Sequence, residues 1–128
     1  NTKIDIMKTT LITCIALFFM AIGHSQDKNK TVSFEVKGNC GMCKTRIEKA
    51  AVKLKGVKFA TWNSETKLFE AIIDERKVTI PNIQKRIAEV GHDSEGFTAP
   101  DSVYNKLPDC CKYRDPSTIH MDHGNHNQ

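Results

Sequence analysis

The chain has no glycine-rich phosphate loop, no paired-carboxylate site and no Ser-His-Asp set, and these absences together speak against an enzyme. It also lacks a strong charge of either sign: 19 Lys and Arg stand against 15 Asp and Glu, a net of +4. So small an excess argues against a dedicated nucleic-acid surface, while leaving room for weak docking to an acidic partner. No internal repeat or long low-complexity segment is visible. Nor is there an apolar run long enough to span a bilayer: the uncharged stretch Thr9 to Ser25 has its apolar centre at Leu11 to Ile22, short of the roughly 20 residues a spanning helix needs.

The order of that stretch, a basic Lys8, then apolar residues, then small ones, is that of a secretory signal. Residues 1–25 are read as a leader, with Asn1 to Ile6 upstream of the start at Met7 and cleavage after Ser25 or, alternatively, after Gly23. Leu11-Ile12-Thr13-Cys14 resembles a lipoprotein box. Thr13 is a poor residue before that cysteine, however, and the cut would leave Ile15 to Ile22 on the product, so lipidation at Cys14 is disfavoured. A periplasmic or secreted protein with no membrane insertion after cleavage is expected.

Four cysteines then remain: Cys40, Cys43, Cys110 and Cys111. An exported protein meets oxidising conditions, but each pair is local and closes almost no loop, which argues against a disulfide framework. Cys40-Gly41-Met42-Cys43 sits between an alternating run (Val32, Phe34, Val36) and a run of helical period (Ile47, Ala50, Ala51, Leu54). At such a strand-to-helix junction the unpaired N–H groups and the macrodipole of the opening helix favour thiolate. The pair suits a soft ion, Cu(I) first, with Zn(II) and Hg(II) as alternatives, or else a disulfide. A thiol-disulfide oxidoreductase would need the same two sulfurs, but the only Trp, Trp62, is remote from the motif and the pattern that follows is not thioredoxin-like. Lys44 and Arg46 read as a solvated helix face, or as cations that offset an anionic thiolate complex.

Adjacent Cys110 and Cys111 rarely bond to each other, because the intervening peptide strains the ring. Thiols able to meet the first pair, a second soft site and unrelated buried thiols all remain open. His120, His123 and His126 recur every third residue and form a tract able to collect Zn(II) or Cu(II), with a plain polar tail as the alternative.

The pattern predicts a strand over 31–37, a helix over about 42–55 ended by Gly56, and a hairpin of 57–63 and 67–74 around Ser64-Glu65-Thr66. A second helix is expected after the cap Thr79, with Pro81 in its first turn and Gly91 at its end, followed by a short last strand over 94–98. This order is the ferredoxin-like βαββαβ sandwich, an α+β fold with two helices on one face of a four-stranded antiparallel sheet. Residues 99–114 are expected to dock on it as an extension, and 115–128 to form a flexible tail.

Residues 30–98 resemble the heavy-metal-associated domain of copper metallochaperones, metal-transporting P-type ATPases and the periplasmic mercury-binding protein. The likeness rests on Gly38-x-Cys40-x-x-Cys43, Gly56-Val57 opening the second strand, Asp74 closing the third, and Ile83 to Asp93. It implies that Cys40 and Cys43 ligate the metal and that His92, in the turn beside it, is a third ligand or tunes release. One departure stands out: the family's Met two residues before the first Cys, which packs under the loop, is Gly38 here. The resemblance implies an exported Cu(I) chaperone or scavenger working by thiolate exchange, not an enzyme. Its partner would be a metal-transporting P-type ATPase or efflux component, and it would be a monomer or metal-bridged dimer.

Overall fold

The computed structural model describes residues 1–19, 23 and 25–118. The first element, α1 (Thr2–Phe19), exposes Ile4, Ile6, Met7, Leu11, Ile12 and Ile15. Among the described residues no helix is long and apolar enough to cross a membrane.

Three strands, β1 (Lys30–Glu35), β2 (Val57–Trp62) and β3 (Leu68–Ile73), form an antiparallel sheet in the order β1-β3-β2. Successive strand residues point to opposite faces, so the register Val32↔Ala71 and Phe34↔Phe69 puts Val32, Phe34, Phe69, Ala71 and Ile73 together on the inner face. Sequence alternation left both faces of β3 apolar; the pairing settles it, with Leu68 and Ile72 outward and partly exposed. In β2 a register shift between Val57 and Phe59 turns Phe59 to solvent while Ala60 and Trp62 face inward.

Two helices complete the sandwich. In α2 (Gly41–Val52), Cys43, Ile47, Ala50 and Ala51 recur at helical spacing and are buried. Helix α2 ends at Val52, short of the expected 55, and the turn that follows enters β2 through Gly56 at φ +101, a left-handed conformation natural to glycine. In α3 (Ile80–Glu89), Thr79 and Asn82 form a reciprocal capping box, and Ile83, Gln84, Ile87 and Ala88 are buried. Helix α2 packs on β2 and on α3.

The ferredoxin-like fold is therefore present, but its expected fourth strand is reduced to a bridge. Ser94 pairs with Val36, and Lys37 N–H donates to the Asp93 carbonyl at 2.8 Å. The segment then turns back on itself: Gly96 adopts φ +78, and Ser94 and Phe97 exchange backbone hydrogen bonds at 2.9 and 3.1 Å. Paired to Phe97, Ser94 cannot continue a ladder along β1.

The extension docks on the domain through α4 (Asp101–Tyr104) and two short 3-10 turns, Asp109–Cys111 and Pro116–Thr118. Tyr104, Leu107, Cys110 and Cys111 join the domain's own core. The second turn moves the expected start of the free tail. Thr118 is buried, accepts from Asn39 Nδ2 at 3.1 Å and donates to the Lys112 carbonyl at 2.7 Å, so residues 115–118 belong to the docked part. His120, His123 and His126 lie outside the described residues.

Candidate metal centre

Cys40 caps α2 in extended conformation, and Cys43 follows in its first turn. Both sulfurs face inward: Cys40 is 1% exposed and Cys43 0%. The burial comes from the extension, whose first 3-10 turn lays Cys110 and Cys111 against the loop. Cys40 Sγ lies 3.6 Å from Cys43 Sγ, 3.4 Å from Cys110 Sγ and 3.7 Å from Cys111 Sγ, and the Cys110 and Cys111 sulfurs are 3.9 Å apart. The sulfurs of Cys40, Cys110 and Cys111 all lie within 4.8 Å of one another. Of the three readings open for Cys110 and Cys111, the structure selects the first: they meet the Cys-x-x-Cys loop.

These spacings can be weighed against ion geometry. With metal–sulfur bonds of about 2.3 Å, two sulfurs facing each other across a linear ion stand about 4.6 Å apart, against about 4.0 Å in a trigonal site and about 3.8 Å in a tetrahedral one. The observed 3.4 to 3.9 Å fit three or four sulfurs around one soft ion better than a linear pair.

Without metal the thiols divide one charge unequally. The Cys111 thiol of the cluster brings the Cys43 thiol down to about 5 against the cost of its burial, with help from Asn39 N–H, which reaches Cys43 Sγ at 3.4 Å. Burial and the neighbouring Cys43 charge push Cys40 up to about 11, and interaction with Cys43 together with burial raises Cys111 far above its ordinary range. Arg46 Nη1 stands 3.5 Å from Cys111 Sγ and is the cation directed at the sulfurs. Lys44 is directed elsewhere, donating to the Trp62 carbonyl at 3.0 Å and pairing with Glu48.

Trp62 differs from its sequence reading. Trp62, remote from the motif in the chain, packs against it: a Cβ on Gly38 would lie 3.0 Å from Trp62 Cη2 and 3.1 Å from Cys43 Cβ. Trp62 Nε1–H donates to the Val36 carbonyl at 3.0 Å. The indole thus supports the loop from the inside, and glycine at 38 leaves room for it. His92 is fully buried, donates from Nδ1 to the Lys37 carbonyl at 2.8 Å and stacks on Tyr113 at 5.4 Å between ring centroids. Its Nε2 has no partner among the described residues, and burial lowers its pKa against the pull of the Cys43 charge. The third close sulfur is supplied by the extension, and His92 is not one of the groups gathered around it.

The extension is held by a charged and aromatic clasp. Arg114 donates to Asp93 Oδ1 at 2.9 Å, Asp101 Oδ1 at 3.0 Å and the Ala99 carbonyl at 2.9 Å, and its guanidinium lies 4.1 Å over the Tyr104 ring. Tyr113 donates to the Gly91 carbonyl at 2.7 Å and accepts from Asp93 N–H at 2.9 Å. Short irregular turns have no periodicity to announce them, so only the adjacent cysteines hinted at this half of the site.

No protein-family model and no curated protein matches the chain. Solved structures do. The CopZ metallochaperone is 29% identical over 51% of this chain and 98% of its own, with a TM-score of 0.50. A putative copper-ion-binding protein from Bacillus anthracis str. Ames is 28% identical over 55% of this chain and 99% of its own, TM-score 0.50. The water-soluble region of the P-type ATPase CopA from Bacillus subtilis is 28% identical over 56% of this chain and 47% of its own, TM-score 0.50. Over about half its length, then, the protein is structurally homologous to heavy-metal-associated metallochaperone domains.

Proposed function

We propose that this chain is an exported carrier of a soft metal ion, Cu(I) first, that holds its cargo between the Cys-x-x-Cys loop and the two cysteines of its own extension. The observation that carries this reading is the gathering of the Cys40, Cys110 and Cys111 sulfurs within 4.8 Å on a fold shared with copper-binding proteins. Thiolates are soft donors that select Cu(I), Zn(II) or Hg(II), and the likeness to copper proteins ranks Cu(I) ahead of the other two.

Transfer is a ligand exchange. As Cys110 and Cys111 swing away with the extension, a partner thiol takes their place on the ion while Cys40 and Cys43 still hold it. The extension thus stands in for the partner until one arrives. The likeness to the soluble region of CopA supports a metal-transporting P-type ATPase as that partner. The leader-like residues 7–25 support export to the periplasm or beyond, and the carrier is taken to work as a monomer of residues 30–98 with its extension.

An oxidoreductase is disfavoured because it needs an exposed reactive thiolate at rest, and with the extension docked Cys43, the thiol whose pKa is lowered, is fully buried.

The test is competition for Cu(I) against a chromophoric chelator under anaerobic conditions. The protein should take one ion per chain from the chelator, and Cys40→Ser with Cys43→Ser should leave it unable to compete. Affinity retained in that double variant would overturn the reading.

A further inference from the structure

One sulfur beside the cluster is not buried. Met42, in the first turn of α2, is 43% exposed, and its Sδ lies 3.5 Å from Cys110 Sγ. Cys110 is only 4% exposed and sits 3.4 Å from Cys40. The three sulfurs therefore form a short chain from solvent inward: Met42, Cys110, Cys40. The outermost is a thioether, and the two behind it are thiols.

That order has a chemical consequence. A thioether is a soft donor that carries no charge, so it suits soft monovalent ions such as Cu(I) and Ag(I) and offers less to doubly charged, borderline Zn(II), whose protein ligands are thiolate, imidazole and carboxylate. We propose that Met42 and Cys110 form a capture site that admits soft monovalent ions to the buried thiols ahead of Zn(II). This rests on the carrier reading above and adds to it a route and a basis for selection. An arriving ion exchanges one ligand of its previous complex for Met42 Sδ. It then exchanges its remaining ligand for Cys110 Sγ, whose proton leaves to water, and passes inward to Cys40, whose proton likewise leaves to water, as the bond to Met42 breaks. No electron moves, and the ion keeps its charge throughout.

A purely steric role for Met42, covering Cys110, predicts different behaviour. The experiment uses the full chain with 13C-methyl methionine, reduced and anaerobic, titrated with Ag(I) or with Zn(II). The Met42 methyl signal, identified by its loss in Met42→Leu, should shift on addition of Ag(I) and stay in place with Zn(II). Leucine preserves volume, so Met42→Leu should leave the melting temperature and the Zn(II) loading rate unchanged while slowing Ag(I) loading about tenfold, the lower end of what loss of a supporting group costs a metal site. A Met42 signal unmoved by Ag(I), or equal slowing of Ag(I) and Zn(II), would overturn the capture site. Ultraviolet thiolate-to-Ag(I) absorbance separates the two readings. If it appears while Met42 is silent, only the capture site fails; if it is absent, the carrier reading and the capture site fail together.

Discussion

Cys40 and Cys110 are separated by 70 positions in the chain and by 3.4 Å at their sulfurs. If the pair shares an ion, Cys110→Ser with Cys111→Ser should weaken Cu(I) binding by more than about tenfold, or about 1.4 kcal/mol. X-ray absorption should count three or more sulfurs on the ion in the parent and two in the variant. Two sulfurs in both would confine the site to the Cys-x-x-Cys loop.

The seat of the extension depends on Arg114, whose side chain bridges Asp93 and Asp101 and is partly exposed. Charge-assisted hydrogen bonds of this kind contribute about 1.5–3 kcal/mol each, and the exposed Asp101 arm contributes at the low end or below. Arg114→Ala should therefore raise the alkylation rate of Cys110 and Cys111 in the metal-free protein well before the domain unfolds. Equal labelling rates in parent and variant would mean that the extension is held by its apolar contacts alone.

Asp93 gives this clasp a pH dependence. Burial alone would raise its pKa, but the Arg114 guanidinium, Ala99 N–H and Tyr113 outweigh burial and lower it. A carboxyl whose folded pKa lies below its unfolded value, about 3.9 for Asp, contributes stability that is fully present above that value. The contribution is lost as pH falls through the folded pKa. Urea unfolding of the parent and of Asp93→Asn should thus differ most at neutral pH and converge as pH drops below about 4. A constant gap between the two across that range would remove the Asp93 charge from the account.

At the loop, Gly38→Ala would drive a methyl to 3.0 Å from Trp62 and 3.1 Å from Cys43 Cβ. Overpacking of this kind costs about 1–3 kcal/mol. A lower melting temperature should come with altered Trp62 fluorescence and weaker Cu(I) retention, since the displaced atom carries a sulfur. An unperturbed melt would show that the indole can yield.

Thr118 docks and the three tail histidines follow it, so the informative truncation ends at Thr118 rather than at Arg114. A chain ending there should keep its melting temperature and its Cu(I) affinity but lose any weak additional Zn(II) or Cu(II) uptake, read by calorimetry. Unchanged uptake would make His120, His123 and His126 bystanders.

How far the sequence foretold this molecule varied with the range of the interactions. The alternation of Val32, Phe34 and Val36 and the helical spacing of Ile47, Ala50 and Ala51 placed Cys40 and Cys43 at a strand-to-helix junction, because both periods are local consequences of backbone geometry. Gly91 marked the end of α3 for the same reason, whereas α2 stops at Val52, before the expected Gly56, which instead turns the chain into β2. The last strand was misread because residues 94–98 carry β-like side chains around Gly96, whose positive φ closes a turn instead. Trp62 beneath Gly38, and Cys110 and Cys111 against Cys40, are contacts between segments far apart in the chain. Their existence depends on how the pieces pack, which no local pattern encodes.

The docked extension also changes what a bound ion does to the polypeptide. An ion held by Cys40 and Cys43 ties together residues three positions apart and leaves the unfolded ensemble almost as free as before. An ion shared with Cys110 ties positions separated by 70, as a cross-link would. A covalent bridge closing so long a loop removes on the order of 4 kcal/mol of unfolded-chain entropy, less where native strain intervenes. The cargo would then act as a staple on the path of the whole chain, and a filled carrier would resist heat and proteolysis by a margin that a two-cysteine loop cannot supply.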